Sequence, residues 1–471
     1  MNTPSSEQEG LVRVLARGDV LALAFGAMIG WGWIVLTGTA IQSAGSLGAI
    51  IAFIIGGLAI VLVGLTYAEL AAAMPKVGGE HVYSYRALGH LPSFLCTWAI
   101  ILGYLSVVAF EAVALPTVIE HLAPNYAVGH LWTIAGWEVK ATWVAVGVGG
   151  SLIMMAINYF GVTTAALLQK VVTGLILLVG VMFVTGSLFE GETINMMPLF
   201  TQADTGVFAG IVAVLVMVPF LFVGFDVIPQ AAEEINLPYK AIGKVLMMSV
   251  ILAVVWYALI ILATSLALNS TELAASSLSV PDAMGSLFNA AWASNLMVMA
   301  GIAGIITSWN AFYIGGSRAI YALARAGMLP APFAKLHPRY RTPTNAIFMM
   351  GFLSCLAPFF GRPALVWIVN AGGLGIVLAY LFVAISFVVL RVREPDMPRP
   401  FKVSNGKLCG TLAVLLSFGM ACLYLPGSPA ALSSAEWTIF AGWAVLGLAL
   451  YVHALRTYGR DYSDRHMKMD L

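Results

Sequence analysis

The chain has 471 residues, of which 60% are hydrophobic and only 10% are charged. A soluble domain carries roughly 25% charged residues, so this composition excludes a water-soluble protein and indicates an integral membrane protein. The formal net charge of +1 predicts no nucleic acid partner. The four cysteines and seven histidines have neither metal-ligand nor disulfide spacing. We therefore expect no metal, no other cofactor and no membrane enzyme.

Twelve apolar runs are long enough to be transmembrane helices, each of which needs about 20 mainly apolar residues. In chain order, these predicted spans 1 to 12 cover residues 19–42, 46–74, 91–119, 142–160, 165–188, 207–231, 241–268, 284–324, 344–360, 364–390, 408–427 and 436–456. The eighth run is too long for one crossing. We expect it to begin with an external segment and to end in a cytoplasmic helical extension.

The positions of the basic residues predict the orientation. With the N-terminus in the cytoplasm, only Lys140 and Arg362 of the 23 lysines and arginines fall in external segments, as the positive-inside rule requires. We therefore expect a cytoplasmic segment 1–18, one transmembrane domain 19–456 and a cytoplasmic tail 457–471. The absence of targeting signals favours a cell membrane location, in particular a bacterial inner membrane.

Glycine and proline interrupt two of the predicted spans. Span 1 contains GAMIGWGWIVLTG at residues 26–38, and span 6 contains VPFLFVGFDVIPQAAEEINLP at residues 218–238. Gly224 and Asp226 lie between Pro219 and Pro229, and an acid at membrane depth is costly unless it lines a cavity or has a partner. Spans 1 and 6 are five helices apart, as two inverted five-helix repeats require. Paired broken helices of this kind predict a transporter site at the midplane, where unwound backbone binds ligand.

Four motifs in order resemble the amino acid–polyamine–organocation permeases. They are GAMIGWGW in span 1, YAELAAAMPKVGGEHVYSYRALG from the end of span 2 onward, FVGFDVIPQAAEEINLP in span 6 and SRAIYALARAGMLP at the end of span 8. The resemblance implies an all-α membrane protein with the LeuT-type 5+5 inverted repeat. Repeat one would cover about 19–188, repeat two about 207–390, and two peripheral helices about 408–456. It also implies secondary transport or exchange by alternating access.

The resemblance further implies a substrate site at the two breaks. In the family, amides of the first break bind the substrate carboxylate, carbonyls near both breaks bind the amino group, and a span 8 aromatic lines the pocket. The matching amides are those of Gly30, Trp31 and Gly32. The matching carbonyls lie around Met28, Ile29, Phe220 and Val223, with Gly224 at the second break. The matching aromatic is Phe312, with Trp309 one turn earlier.

An aromatic cage is a second interpretation of the same site. The aromatic residues near the breaks are Trp31, Trp33, Phe220, Phe222, Phe225 and Phe312. Cation–π attraction would suit an organic amine, a polyamine or a quaternary ammonium compound. A channel is less favoured, because the sequence has neither a filter-like repeat nor a ring of pore charges.

Three acidic residues lie within or at the ends of spans. We expect Glu69 to pair with a basic residue on the cytoplasmic side and Asp226 to bond freed backbone at the break or act in gating. Glu111 shares a face of span 3 with Val107 and Tyr104. It is expected to pair with a neighbouring helix, to reach outward, to balance a cationic substrate or to carry a proton.

The coupling ion stays open at this stage. Proton-coupled relatives carry a lysine midway along span 5, where this chain has Leu175 or Ile176, and Lys170 comes too early. Exchange, sodium coupling and proton coupling through Glu111 all remain. Thr307 and Ser308 would be the sodium ligands, although hydroxyl pairs in helices usually bond their own backbone. A small amino acid or amine is the expected partner, besides the lipid bilayer, and the oligomeric state is left open.

Overall fold

The computed structural model describes residues 11–123, 125–201, 206–276, 278–428, 431–462 and 464–465. Apolar helices dominate this part of the chain. The helices are α1 (Arg17–Met28), α2 (Gly32–Ala44), α3 (Ser46–Ala73), α4 (Glu80–Leu88), α5 (His90–Leu122), α6 (Ala141–Tyr159), α7 (Val162–Glu190), α8 (Val207–Phe222), α9 (Val227–Gln230), α10 (Tyr239–Ala267), α11 (Ser270–Ala275), α12 (Ser279–Leu287), α13 (Ala291–Arg325), α14 (Thr344–Leu356), α15 (Pro363–Arg393), α16 (Gly406–Cys422) and α17 (Ser434–Tyr458). Short 3-10 helices cover Thr193–Met196, Ala232–Glu234, Ala331–Ala334 and Ala357–Phe360.

Each of the twelve predicted spans coincides with helical structure, but they do not all have the length of a full crossing. Within the described ranges, nine stretches are long and apolar enough to cross a membrane, one of which joins α8 and α9 as Val207–Gln230. Helices α1 and α2 together form a tenth candidate, bent by 43°. The two remaining runs are shorter apolar helices, Thr344–Phe360 and Gly406–Cys422. At 1.5 Å per residue, a helix of 17 residues extends only about 25 Å, less than the hydrocarbon core.

The eighth run is not one helix. It divides between α12 and α13 at Phe288 to Ala290, and α13 alone has 35 residues. Such a helix is about 50 Å long, well beyond the thickness of the hydrocarbon core. The expectation that this run exceeds a single crossing therefore agrees with the structure.

One small hairpin accompanies the helices and was not expected from the sequence. Strand β1 (His130–Ile134) pairs antiparallel with β2 (Trp137–Lys140). The two connecting residues, Ala135 and Gly136, both have positive φ angles of 48° and 79°, as a two-residue type I′ turn requires. The hairpin precedes α6, and Trp137 packs on Trp143 with ring centroids 4.7 Å apart.

The two most buried long helices form the centre of the molecule. The apolar windows of α5 and α13 are each 83% buried, whereas that of α17 is only 17% buried. Helix α5 packs against α13 and α15, α3 packs against α10, and α1 packs against α7, α10 and α13. The bend between α1 and α2 therefore lies beside the central helix α13.

Hydrogen bonds between polar side chains fix the helices around α13. Asn158 donates to the Asn310 side chain at 3.0 Å, and Asn310 donates to Gln169 Oε1 at 2.9 Å. Gln169 in turn donates to the Ala22 carbonyl at 3.2 Å. This buried chain links α6, α13, α7 and α1, and each of these donors has an acceptor, as buried polar groups generally do, whereas Asn158 Oδ1 accepts no hydrogen bond from a described residue.

Candidate functional site

The first break lies between α1 and α2. Ile29 ends α1 with a non-helical ψ of 60°, and α2 begins at Gly32 after Trp31. Carbonyls at the end of α1 therefore have no helical partner. Gly304 of α13 lies directly beside this segment, because a Cβ atom there would be 2.8 Å from the Gly30 carbonyl oxygen. The absence of a side chain at position 304 lets the unwound backbone approach the central helix.

The second break follows α8. Val223 is extended, and Gly224 has a φ of +137°, which a residue with a side chain rarely adopts. The Gly224 amide donates to Asp226 Oδ1 at 2.7 Å, so Asp226 bonds freed backbone as the sequence predicted. A Cβ at Gly224 would also lie 2.6 Å from the Ala27 Cβ. The two breaks are therefore in direct contact.

One tyrosine joins the two broken segments. The Tyr257 hydroxyl of α10 lies 2.9 Å from the Met28 carbonyl and 3.2 Å from the Leu221 carbonyl. It thus donates to freed backbone of both breaks at once. Sequence reasoning did not find Tyr257, because nothing in its local sequence distinguishes it from other tyrosines in apolar helices.

A small cavity lies where the two breaks meet. Its volume is about 20 Å³, which holds roughly one water molecule and is too small for an amino acid. The cavity is lined by Ala27, Met28, Gly30, Trp31, Gly32, Val107, Phe110, Glu111, Phe220, Leu221, Val223, Tyr257, Ser308 and Phe312. The breaks are therefore closed tightly around this point.

Glu111 is the acid of this cavity. Its side chain is 1% exposed, and Ser308 of α13 donates a hydrogen bond to its Oε1. A Cβ at Gly30 would lie 2.9 Å from the same oxygen, so the carboxyl lies against the first break. Its other oxygen accepts no hydrogen bond from any described residue. Glu111 thus does not reach outward; it accepts from a hydroxyl on the neighbouring helix, lies beside the Trp31 amide and faces the cavity.

About half of the predicted site residues line the cavity. Those that do are Met28, Gly30, Trp31, Gly32, Glu111, Phe220, Val223 and Phe312. Those that do not are Ile29, Trp33, Tyr104, Phe222, Gly224, Phe225, Trp309 and Asp226. Residues that line it but were not predicted as substrate contacts include Phe110, Tyr257 and Ser308. Only Ser308 had a signal in the sequence, as a hydroxyl beside Thr307.

The proposed aromatic cage is therefore smaller than the sequence suggested. Trp33 packs on Trp256 with centroids 5.4 Å apart, and Phe222 packs on Tyr257 at 5.1 Å. Phe225 lies on Tyr67, with centroids 5.3 Å apart. These three rings point into helix contacts because side chains of a broken helix leave it in directions that sequence periodicity does not predict.

A second, larger cavity adjoins the first. It has a volume of about 780 Å³, and its polar lining residues include Glu120, His121, Arg362 and Asn370. Trp31, Phe110 and Phe220 line both cavities and so form the wall between them. Phe110 and Phe220 meet edge to face with centroids 5.7 Å apart, a favourable arrangement for aromatic pairs. A movement of these three aromatic side chains would connect the two cavities.

A buried ion pair follows the second break. Arg318 of α13 contacts Glu234 at 2.8 Å, and both side chains are at most 2% exposed. The N-terminal segment also bonds here: the Val14 and Leu15 amides each donate to the Glu234 carbonyl at 2.9 Å. Residues 1–10 of the predicted cytoplasmic segment lie outside the described residues.

Glu69 has the basic partner that the sequence led us to expect. Arg391 and Arg399 contact its carboxylate at 2.5 and 3.0 Å, and the Val403 amide donates to it at 2.7 Å. This buried carboxylate is compensated by two cations and a backbone donor. Its position is structural, since it fixes α3 to α15.

Lys170 and Thr307, the other residues considered for ion coupling, have partners within the protein. Lys170 pairs with Asp19 at 2.8 Å, with its own side chain 48% exposed, and Ile176 is buried. Thr307 donates to the Gly304 carbonyl at 2.9 Å, the back-bonding that helical hydroxyls commonly make. Within the described ranges, His, Cys, Asp and Glu form no group that could hold a metal ion.

Comparison with known proteins gives one family and several full-length relatives. The model of the amino acid permease family matches residues 18–449. The chain is 28% identical to the branched-chain amino acid permease BcaP of Bacillus subtilis, over 99% of this chain and 96% of that protein. It is 26% identical to the methylthioribose transporter of B. subtilis, over 97% and 96% of the two chains. It is also 25% identical to the aspartate-proton symporter of that organism, over 88% and 79%.

Proposed function

The chain belongs to the amino acid permease family, and from this premise we propose that it is a secondary active transporter, a permease or an exchanger, for a small amino acid or an amino-acid-derived compound. The family consists of transporters rather than enzymes, and the many apolar helices make the chain a multi-pass membrane protein. The observation that carries the proposal is the cavity at the meeting point of the two breaks. Unwound backbone from both breaks faces one small space there, as a transporter site at a repeat interface requires.

The proposed architecture is twelve spans in the LeuT-type 5+5 arrangement. Its support is that the first helix of each proposed repeat is broken and that the second helices, α3 and α10, pack on each other. Helices α16 and α17 would be peripheral, and α14 and α16 would complete the twelve crossings despite their short length. Both termini would be cytoplasmic, in a bacterial inner membrane.

The transport cycle follows from the two cavities. The larger cavity would admit substrate from outside, and the wall formed by Trp31, Phe110 and Phe220 would open to let it reach the breaks. Substrate carboxylate would bind amides around Gly30 to Gly32, and substrate ammonium would bind carbonyls of both breaks. Closing this wall and opening the cytoplasmic side would complete alternating access.

The substrate class is constrained by what lines the cavity. Apart from backbone, Glu111 is the charged group there, and its surroundings are aromatic and aliphatic. The relatives transport branched-chain amino acids, methylthioribose or aspartate by their names, so family membership leaves a range of substrates. An apolar side chain fits this lining best, with the ammonium group near Glu111. Proton coupling through Glu111 is our preferred coupling, with sodium coupling and exchange as the alternatives.

An organic amine is the second candidate, and one observation favours it. The Glu111 carboxyl faces Trp31, Phe220 and Phe312 around one space, and a carboxyl beside aromatic faces attracts an ammonium ion. Such a ligand would not need the amides that bind a carboxylate.

The test is a thermal-shift screen of purified protein against amino acids, amines and betaines, followed by uptake of the best ligands into proteoliposomes. We expect an α-amino acid to raise the melting temperature and to be taken up. Trp31→Ser, which removes the indole from the wall of the cavity, should change the ranking of substrates while leaving expression intact. If the ranking is unchanged, Trp31 does not line the site. If amines without a carboxylate are the better ligands, the second candidate is correct.

A further inference from the structure

Glu80 is a buried acid that the site described above does not use. It is the first residue of α4, follows the loop after α3, and is completely buried. The preceding Gly79 brings it against the second break, because a Cβ at position 79 would lie 2.6 Å from the Pro229 Cβ. The chain therefore carries an acid from the loop between two spans into the protein interior beside α9.

Glu80 and Asp226 both lie at α9. Gln230 donates a hydrogen bond from its Nε2 to Glu80 Oε2. Asp226 lies four residues before Gln230, a spacing that places two residues on the same face of a helical turn. The second oxygens, Glu80 Oε1 and Asp226 Oδ2, accept no hydrogen bond from any described residue. The two carboxyl groups act on each other electrostatically.

Uncharged groups surround the two acids. The other titratable groups that act on them are Tyr67, Tyr83, Cys96, Tyr104 and Tyr380. These phenols and this thiol are neutral at physiological pH. The four phenol oxygens are buried and have no hydrogen-bond partner within the described ranges, and those of Tyr67 and Tyr104 face Glu80 and Asp226. The phenols of Tyr67 and Tyr104 are thus placed to donate to the two carboxyl groups.

The buried cations nearby in the fold are paired elsewhere. Arg318 binds Glu234, and both Arg391 and Arg399 bind Glu69. His81, next to Glu80, bonds Ser93 through Nδ1 at 2.8 Å, and burial lowers its pKa to about 3. His81 is therefore neutral and supplies no positive charge to the acids.

Two ionised carboxylates in such a buried environment would destabilise the folded protein. Burial penalises the charged form, and a like charge nearby adds to this penalty. Burial, and then the charge of Asp226, raise the pKa of Glu80 well above its usual range. One proton on the pair removes one charge and creates an O–H donor for the unsatisfied oxygens.

We propose that Glu80 and Asp226 form a proton-binding site beside α9 in which the pair of carboxyl groups carries one proton. The rings of Tyr67, Phe225 and Tyr380 contact one another beside it, with centroids 5.3 to 5.8 Å apart, and close it off. When these rings separate and water enters, the penalty on the charged form falls and the proton leaves. This site would couple proton release to opening of the cytoplasmic side, a role that rests on the transport function proposed above.

The first test requires no substrate. Wild type, Glu80→Gln and the control Glu394→Gln are purified, and their melting temperatures are measured from about pH 5 to about pH 9. A raised pKa in the folded protein means that the folded state binds more protons than the unfolded state, so stability falls as pH rises. Glu80→Gln abolishes this contribution and keeps an amide that can bond Gln230. The difference in melting temperature between Glu80→Gln and wild type should therefore rise with pH. The control Glu394→Gln removes a carboxylate from the part-exposed pair with Arg86. Its difference in melting temperature from wild type should be the same at every pH.

A pH-independent difference between Glu80→Gln and wild type would mean that Glu80 is only a hydrogen-bond partner of Gln230, and would overturn the proton site. Because this readout involves no transport, it stands even if no substrate is found.

The second test separates coupling from transport. In proteoliposomes, exchange of labelled for unlabelled substrate without a pH gradient is compared with uptake driven by an acidic exterior. Glu80→Gln should retain exchange and lose about fivefold or more of the stimulation by the gradient, while Glu80→Asp retains part of it. Full stimulation in Glu80→Gln would refute the coupling role. If wild type neither takes up nor exchanges any tested compound, the proposed transport function fails, and the thermal result decides the proton site alone.

Discussion

The closest backbone approach in the site is that of Gly304 in α13 to the first break. Gly304→Ala would place a methyl carbon 2.8 Å from the Gly30 carbonyl oxygen and 3.0 Å from the Ile29 carbonyl oxygen. A relaxed C···O contact is about 3.3–3.6 Å, so the backbone must move by roughly 0.5 Å. The atoms in the way belong to backbone, which cannot rotate aside. We expect a cost of about 1–3 kcal/mol in the free energy of unfolding, as for other overpacked positions.

The displaced carbonyls are those of the first break, so transport should suffer more than stability. A shift of 1 Å at a reacting or binding group can cost about a hundredfold in rate, and half of that displacement should cost roughly tenfold in initial uptake. The matched control is Gly174→Ala in α7, where nothing lies within 4 Å of the added methyl group. Thermal melting and proteoliposome uptake are measured for both variants. Equal melting temperatures and equal uptake in the two variants would refute the close contact between α13 and the break.

Two further predictions concern polar groups at the cavity. Tyr257→Phe removes the hydroxyl that donates to both the Met28 and the Leu221 carbonyl. This loss should lower the free energy of unfolding by about 1–3 kcal/mol and raise the substrate concentration for half-maximal uptake. An unchanged melting curve would contradict the hydrogen bonds from Tyr257 to the two breaks. Glu111→Gln keeps an acceptor for the Ser308 hydroxyl, so the protein should remain folded, but the dependence of uptake on external pH should weaken. Uptake with the wild-type pH dependence in this variant would make Glu111 a structural residue.

The positions of the breaks were predictable because their causes are local. Glycine adopts φ values that other residues rarely adopt, and proline lacks an amide donor, so a cluster of both favours an interruption of the helix, although Pro116 and Pro219 themselves lie inside α5 and α8. The sequence around Gly224 therefore indicated an unwound segment, and the structure has one there. The pairing of Glu69 with a basic residue was predictable in kind, since a buried carboxylate needs compensation, but the identity of Arg391, 322 residues away, was not.

The amino-acid sequence alone determined the membrane class, the family resemblance, twelve apolar helical runs and the two breaks, because composition, length and backbone chemistry act over a few residues. It did not determine which side chains face the shared space. Trp33, Phe222 and Phe225 were expected there and pack elsewhere, while Tyr257, from a helix far along the chain, joins both breaks. The contact of Ser308 with Glu111 and that of Gln230 with Glu80 also bring together distant segments. Such contacts depend on how long helices pack and rotate against one another, which only the tertiary structure decides.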